Sequence, residues 1–320
     1  MRSFEKGIVE VGNGVYAYLQ PDGSWGWSNA GLVVGGEAAT LVDTLFDLHL
    51  TREMLEAMSP MTRSAPISTV VNTHANGDHC YGNQLVAGPG VTFIASAATA
   101  AEIDEVPPAR LAEMQRAAPP GPVAEFAEFA FGPFDFTGIE VPPITETFVG
   151  RRALEGSGPA IELIEVGPAH TAGDILAWLP DERVVFTGDI LFIGGTPIMW
   201  AGPITNWIQA CDLIEELAPT VVVPGHGPLT DASGARDVGD YLRFLQAGVT
   251  ERHSAGMTPT EASRDLDLEL NGTQFGNWTD RERLVVTVHQ VWRELEPGYE
   301  PPDITELFAL MAEDFALHRS

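Results

Sequence analysis

Thr73-His74-Ala75-Asn76-Gly77-Asp78-His79 places two imidazoles and a carboxylate in one short run, directly after the apolar stretch Ile67-Ser68-Thr69-Val70-Val71-Asn72. Histidine and aspartate are ligand types that zinc prefers after cysteine, so the run reads first as part of a metal site. One such run leaves a metal centre incomplete, and three further segments offer the remaining ligands. Ile161-Glu162-Leu163-Ile164-Glu165-Val166 reads as a strand and leads through Gly167-Pro168-Ala169 to His170. Arg183-Val184-Val185-Phe186 leads through Thr187-Gly188 to Asp189, and Thr220-Val221-Val222-Val223 leads through Pro224-Gly225 to His226. Short β-branched runs bounded by Gly and Pro are strand signals. Each candidate ligand thus lies on a loop just past a strand, and α/β sheets deliver such loops to one edge.

With these residues in this order the chain resembles the metallo-β-lactamase superfamily, a set of metal-dependent hydrolases. The resemblance rests on His74, Asp78 and His79, then on His170, Asp189 and His226; Leu41-Val42-Asp43-Thr44 is similar to that family's early strand and acidic turn. It covers about residues 8 to 232. It implies an α/β fold, the four-layer αβ/βα metallo-β-lactamase sandwich, over residues 1–232; the shift to apolar residues at helical spacing beyond it makes residues 233–320 a helical C-terminal appendage packed on the core. The chain departs from the family at Asn76, where the first motif usually reads His-x-His-x-Asp-His.

Carried over residue by residue, the resemblance implies two metal positions. The first draws on His74, position 76 and His170; the second draws on Asp78, His79 and His226, with Asp189 bridging or leaning toward it. An amide is a poor zinc donor beside imidazole, so the expectation is an asymmetric zinc centre, tight at the second position and weak or empty at the first. Iron or manganese stays open as the native metal. A bound metal lowers the pKa of water from 15.7 to about 7 and supplies hydroxide at neutral pH. Asp78 is then expected to orient that nucleophile, Asn76 to hydrogen-bond it or a substrate oxyanion, and Asp43 to fix an imidazole tautomer. The expected reaction is hydrolysis of an ester, thioester, lactone or amide of a small organic substrate. The rivals are an iron-dependent, dioxygenase-like oxidoreductase and a non-catalytic fold member.

Composition narrows the partners. The formal net charge is −28 and Lys6 is the lone lysine, so the chain repels phosphate backbones and nucleic acid is excluded as a natural partner. Hydrophobic residues at 44% and charged residues at 19% are those of a globular protein. No stretch reads as a signal peptide or a membrane span, which makes the expected location cytoplasmic; a homodimer stays open. Cys80 and Cys211 make no disulfide framework, and Cys80 reads as a packing residue.

Residues 8–45 alternate as strands with Gly-rich turns, and 49–62 fit an amphipathic helix with Leu50, Met54, Leu55 and Met58 on one side. A helix is expected through Asn83-Gln84-Leu85-Val86, and 96–118 read as helical. The Pro-, Gly- and Phe-rich stretch around 119–146, with Phe126, Phe129, Phe131, Phe134 and Phe136, reads as an insertion packed over the core. Beyond residue 230 helices are expected at 234–254, 258–266, 279–295 and 303–318. Trp25 and Trp27, Met199, Trp200 and Trp207, and Phe275-Gly276-Asn277-Trp278 are candidate apolar walls for a substrate. His49, His253, His289 and His318 fall outside any motif.

Overall fold

A computed structural model describes residues 4–117, 120–154 and 158–319. The chain opens as a meander of β1 (Gly7–Gly12), β2 (Val15–Leu19), β3 (Ala30–Val34) and β4 (Ala39–Val42). Helix α1 (Leu48–Thr62) then crosses to β5 (Ile67–Val71), which is followed by the single turn α2 (Gly77–Cys80) and by β6 (Thr92–Ser96). Next come α3 (Ala97–Glu102), α4 (Pro108–Ala117), α5 (Pro122–Phe131) and β7 (Glu146–Phe148). These strands form one seven-stranded sheet in sequential order, antiparallel up to β4 and parallel from β4 to β7.

The second sheet holds β8 (Arg151–Leu154), β9 (Ile161–Glu165), β10 (Ile175–Leu179), β11 (Val184–Phe186) and β12 (Val221–Val223). Its first four strands pair antiparallel, and α6 (Ile204–Leu217) provides the crossover that makes β11 and β12 parallel. Four helices complete the chain: α7 (Ala232–Ser254), α8 (Pro259–Leu270), α9 (Leu284–Leu295) and α10 (Ile304–Arg319).

Strand alternation decides which face is inside. Val15, Ala17 and Leu19 of β2 meet Ile175, Ala177 and Leu179 of β10 in an apolar layer between the sheets. The intervening Tyr18, Leu176 and Trp178 belong to a separate core under the helices. Two sheets face to face with helices outside make the four-layer αβ/βα sandwich. Helix α1 shows the same logic at helical spacing: Asp47 caps it by accepting from Leu50 N at 2.8 Å, and Leu50, Met54 and Met58 are buried.

Two local expectations are corrected. Residues 81–85 form a 3₁₀ turn instead of an α-helix. Residues 96–118 contain the end of β6 and two helices separated by residues 103–107, because Pro107 and Pro108 start α4 afresh. The end of that expected helix and the start of the expected insertion, at 118 and 119, lie outside the described residues. The phenylalanines beyond it divide: Phe131, Phe134 and Phe136 are buried around Phe46, and α5 packs on α10 through Phe126–Phe308 and Phe129–Phe315, each at 4.7 Å between ring centroids. None of the described helices is long and apolar enough to cross a membrane.

The sheets pack tightly where β3 lacks a side chain: a Cβ on Gly31 would collide with the ring of Phe186 on β11. Gly31→Ala is therefore expected to destabilise the protein by about 1–3 kcal/mol, the range for overpacking a tight core, measured by urea unfolding.

Candidate metal centre

The ligand-bearing loops leave the C-terminal ends of β5, β9, β11 and β12. Backbone bridges tie them together: His226 pairs with both Ser28 and Phe192, and Trp200 N donates to His170 O at 2.8 Å. His74, His79, His170, Asp189 and His226 converge and are buried, as is Asp78. Their donor atoms form two groups, His74 with His170 and Asp189, and Asp78 with His79 and His226.

Each imidazole is oriented through its far nitrogen. His79 Nδ1 lies 2.9 Å from Asp43 Oδ2, His170 Nδ1 lies 2.6 Å from Ile198 O, and His226 Nδ1 lies 3.1 Å from Gly23 O. These acceptors take the Nδ1 proton and turn Nε2 of each ring into the cluster. For His74 the partner is Thr73 Oγ1 at 3.0 Å, and that hydroxyl donates onward to Asp43 Oδ2 at 2.7 Å. Asp43 also accepts from Thr73 N at 2.7 Å. It reaches all three from a left-handed backbone conformation, φ 62°, which aspartate tolerates better than most residues.

Asp189 sits among all four rings. Its Oδ2 is 3.8 Å from His74 Nε2 and 3.5 Å from the Nε2 atoms of His170 and His226; its Oδ1 is 3.0 Å from His79 Nε2. His74 Nε2, His79 Nε2 and Asp189 Oδ1 are all buried without a well-aligned hydrogen-bond partner. Gly225 keeps this space open, since a Cβ there would strike Asp189 Oδ1. Asp78 Oδ2 lies 3.1 Å from His226 Nε2 and 3.9 Å from His79 Nε2.

Electrostatics and donor chemistry both fit a cation. Burial works against charge on His226, yet Asp189 and Asp78 outweigh it and push that imidazole up to about 9. His79 is likewise held well above the ordinary range despite burial, by Asp189, Asp78 and Asp43. Burial, and then repulsion by His79, drive His74 well below it. Asp189 is held well below the usual carboxylate range, because the imidazoles of His226, His79 and His74 outweigh burial. Protons on His79 and His226 thus occupy the role that a metal cation takes when it binds and releases them. Two imidazoles and a carboxylate in each group are a zinc ligand set.

The sequence placed Asp189 as a bridge or toward the second group; the structure gives the first group a carboxylate through it. Asn76 lies beside that group, its side-chain amide 3.3 Å from His170 Nε2. Cys80 is buried, in neither group, with Sγ 3.3 Å from Asn76 O. His49, His253 and His318 pair with surface carboxylates, and His289 is buried against Tyr299.

The sequence of the chain matches the family description "Metallo-beta-lactamase superfamily" over residues 23–226, more than half of its length. The chain belongs to this superfamily. A Caenorhabditis elegans beta-lactamase-like protein 2 homolog is 34% identical over 74 residues, 23% of this chain and 24% of that protein. The metallo-beta-lactamase type 2 of Bacteroides fragilis is 25% identical over 232 residues, 69% of this chain and 78% of that enzyme. Among solved structures, a stereoselective inverting sec-alkylsulfatase from Pseudomonas sp. superposes with a TM-score of 0.67 at 18% identity, covering 94% of this chain and 52% of that one. The chain therefore spans a quarter to a half of the length of two of these three relatives. Coverage of 94% takes in most of α7–α10, so these helices have structural counterparts in the sec-alkylsulfatase.

Both metal groups border a cavity of about 370 Å³, walled by Trp25, Tyr81, Phe131, Phe192, Trp200 and Phe308 among others. Of the apolar walls expected from the sequence, Trp25 and Trp200 line it. Trp207 is buried, donating to Ile190 O at 2.9 Å, Met199 is buried in the core, and Phe275 and Trp278 stack on Tyr241. Helices α4 and α10 add further walls through Leu111, Met114, Phe308 and Met311, which the sequence marks only as apolar residues of helices.

The loop carrying Trp25 is tied to the C-terminal segment just before α9. Ser24 Oγ donates to Asp280 Oδ1 at 2.5 Å, and Trp25 Nε1 donates to Glu282 Oε1 at 2.7 Å. The same loop supplies Gly23 O to His226.

Two predictions follow from this geometry. Asp43→Ala removes the acceptor that orients His79, and is expected to weaken metal affinity by about 10–100-fold in a competitive chelator titration. Glu282 is pushed up to about 7 by burial and by Asp280, so the fold favours its neutral form. Its contribution to stability is complete below its ordinary value of 4.5 and is lost as pH rises through about 7. Asp174, raised to about 7 by burial, adds a second such contribution. Tm is therefore expected to fall between pH 5 and 8.5, and less steeply in Glu282→Gln.

Proposed function

We propose that the protein is a metal-dependent hydrolase that cleaves an ester, thioester, lactone or amide bond in a small, largely apolar organic substrate. The observation that carries the reading is the convergence of two His-His-Asp groups, with the Nε2 atoms of His74 and His79 buried and unpartnered, beneath an apolar cavity. A volume of about 370 Å³ lies within the range of small-molecule sites. Superfamily membership and relatives named for β-lactamase and hydroxyacylglutathione hydrolase activities support the reaction class.

A metal held by these residues would acidify water and polarise the bond to be cleaved. The chain's own groups do the rest. Asp43, Ile198 O, Gly23 O and Thr73 Oγ1 hold the imidazoles as Nδ1–H tautomers, so that Nε2 is available without rearrangement. Asp78, on the cavity surface, orients the attacking water and carries its proton. Asn76, at the cavity wall, donates from its amide to a developing oxyanion. The apolar walls exclude bulk water. Asp78, His79 and His226 would hold zinc tightly, and His74 and His170 would hold it weakly, because their one carboxylate, Asp189, is shared by all four rings.

A second reading, an iron-dependent oxidoreductase, draws on the same ligand sets. Two histidines and one carboxylate also bind non-haem iron, and Asp189 completes that set around His74 and His170.

A screen of chromogenic esters, lactones and thioesters with zinc-loaded protein separates the readings. Hydrolysis abolished by chelation, restored by zinc and lowered about 10²–10⁴-fold in Asp78→Ala is the expected result. Inactivity in that screen, with bound iron and substrate-dependent oxygen uptake, would support the oxidoreductase instead.

A further inference from the structure

Among the described residues two guanidinium groups line the cavity, Arg110 and Arg283. Arg110 is exposed on α4, where water solvates it. Arg283 is 2% exposed, at the start of α9. Burial of a cation is costly unless other groups replace its hydration. Arg283 has few such groups. Its Nη1 donates to Thr196 O at 3.3 Å, its Nη2 stands 3.5 Å from Asp280 Oδ2, and its Nε is buried without a hydrogen-bond partner.

The neighbouring carboxylates are committed elsewhere. Asp280 accepts from Ser24 Oγ through Oδ1 and from Thr279 Oγ1 at 3.1 Å through Oδ2. Glu282 accepts from Trp25 Nε1. Aromatic faces supply much of the remaining solvation: the Arg283 Cζ is 4.5 Å from the centroid of Trp25 and 5.3 Å from that of Phe192. Both rings are cavity walls, and Phe192 in turn stacks on the metal-group ring of His226 at 5.1 Å. A planar donor fork with spare N–H groups is thus held rigidly between two aromatic rings, one contact removed from the metal centre.

We propose that Arg283 is a specificity-determining residue that anchors an oxyanion on the substrate, a carboxylate or sulfate group attached to an apolar body. The guanidinium suits either headgroup, because both present paired oxygens to its fork. The apolar body lies along Trp25, Phe131 and Phe308, and the anion completes the hydrogen bonding that the protein leaves open at Arg283. The assignment deepens the proposed hydrolase function, on which it rests for the identity of the anchored molecule as substrate.

Isothermal titration of the zinc-loaded protein with octanoate, octyl sulfate and octanol tests the anchor without requiring turnover. The wild type is expected to bind at least one anion more tightly than octanol, and the tighter anion names the headgroup. Arg283→Met is expected to weaken that anion by about 10–100-fold, the size of a charge-assisted hydrogen-bonded pair, and to leave octanol unchanged. Arg283→Lys should recover part of the loss; it also replaces Arg283→Met should the latter fail to fold, with partial loss of the anion preference as its expected result. Equal binding of anions and octanol by the wild type would overturn the proposal. So would an anion preference that survives in these variants, since the metal centre would then be the anchor. Failure of the hydrolase reading would appear separately, as absence of turnover with the Arg283-dependent preference intact.

Discussion

Four imidazoles surround one buried carboxylate, Asp189, and the rest of the structure depends on holding them there. Each ring gives its Nδ1 to an oxygen outside the cluster, which fixes the tautomer and turns Nε2 toward Asp189. Thr73 supplies one of those oxygens from beside His74, and the other three come from distant parts of the chain: the turn after β4, the loop before α6, and the loop between β2 and β3. A cluster of this kind holds its shape only if all these loops hold theirs. The tight glycines at 31 and 225 serve the same end, one bringing the sheets together and the other making room for the carboxylate.

The C-terminal helices are joined to this centre by more than packing. Their leading segment fastens the Trp25 loop through Asp280 and Glu282, and that loop presents the carbonyl that orients His226. Helix α10 walls the same cavity with Phe308 and Met311. The His-Asp cluster, the cavity and the docking of the helices are therefore mechanically linked, although the clustered residues themselves all precede residue 227.

Much of the fold was legible because its signals are local. β-branched runs ending in Gly or Pro marked β5, β9, β11 and β12, and each handed a ligand-type residue to the following loop. The ordered set His74, Asp78, His79, His170, Asp189 and His226 could be assembled from those signals and the family resemblance. Asp43 was legible too, as an acidic residue at a strand end. The orienting groups at Ile198 and Gly23 were not, because a backbone carbonyl carries no mark in the sequence. Arg283 and Glu282 escaped for another reason: a charged pair at a helix start ordinarily reads as solvated surface, and only the tertiary fold buries it. The aromatic stretch 275–278 misled in the opposite sense, since its rings close over Tyr241 and never reach the cavity.

Asn76 gives the centre its character. It stands beside His170 as a neutral amide, so the first metal group relies on two imidazoles and a carboxylate that the whole cluster shares. The second group has Asp78 to itself. The most direct test is anomalous diffraction from crystals titrated with zinc, with occupancy refined at each position. The account predicts that the position at Asp78, His79 and His226 fills first and that the other fills only with excess metal. Equal occupancy of both positions at substoichiometric zinc, or prior filling at His74 and His170, would contradict it.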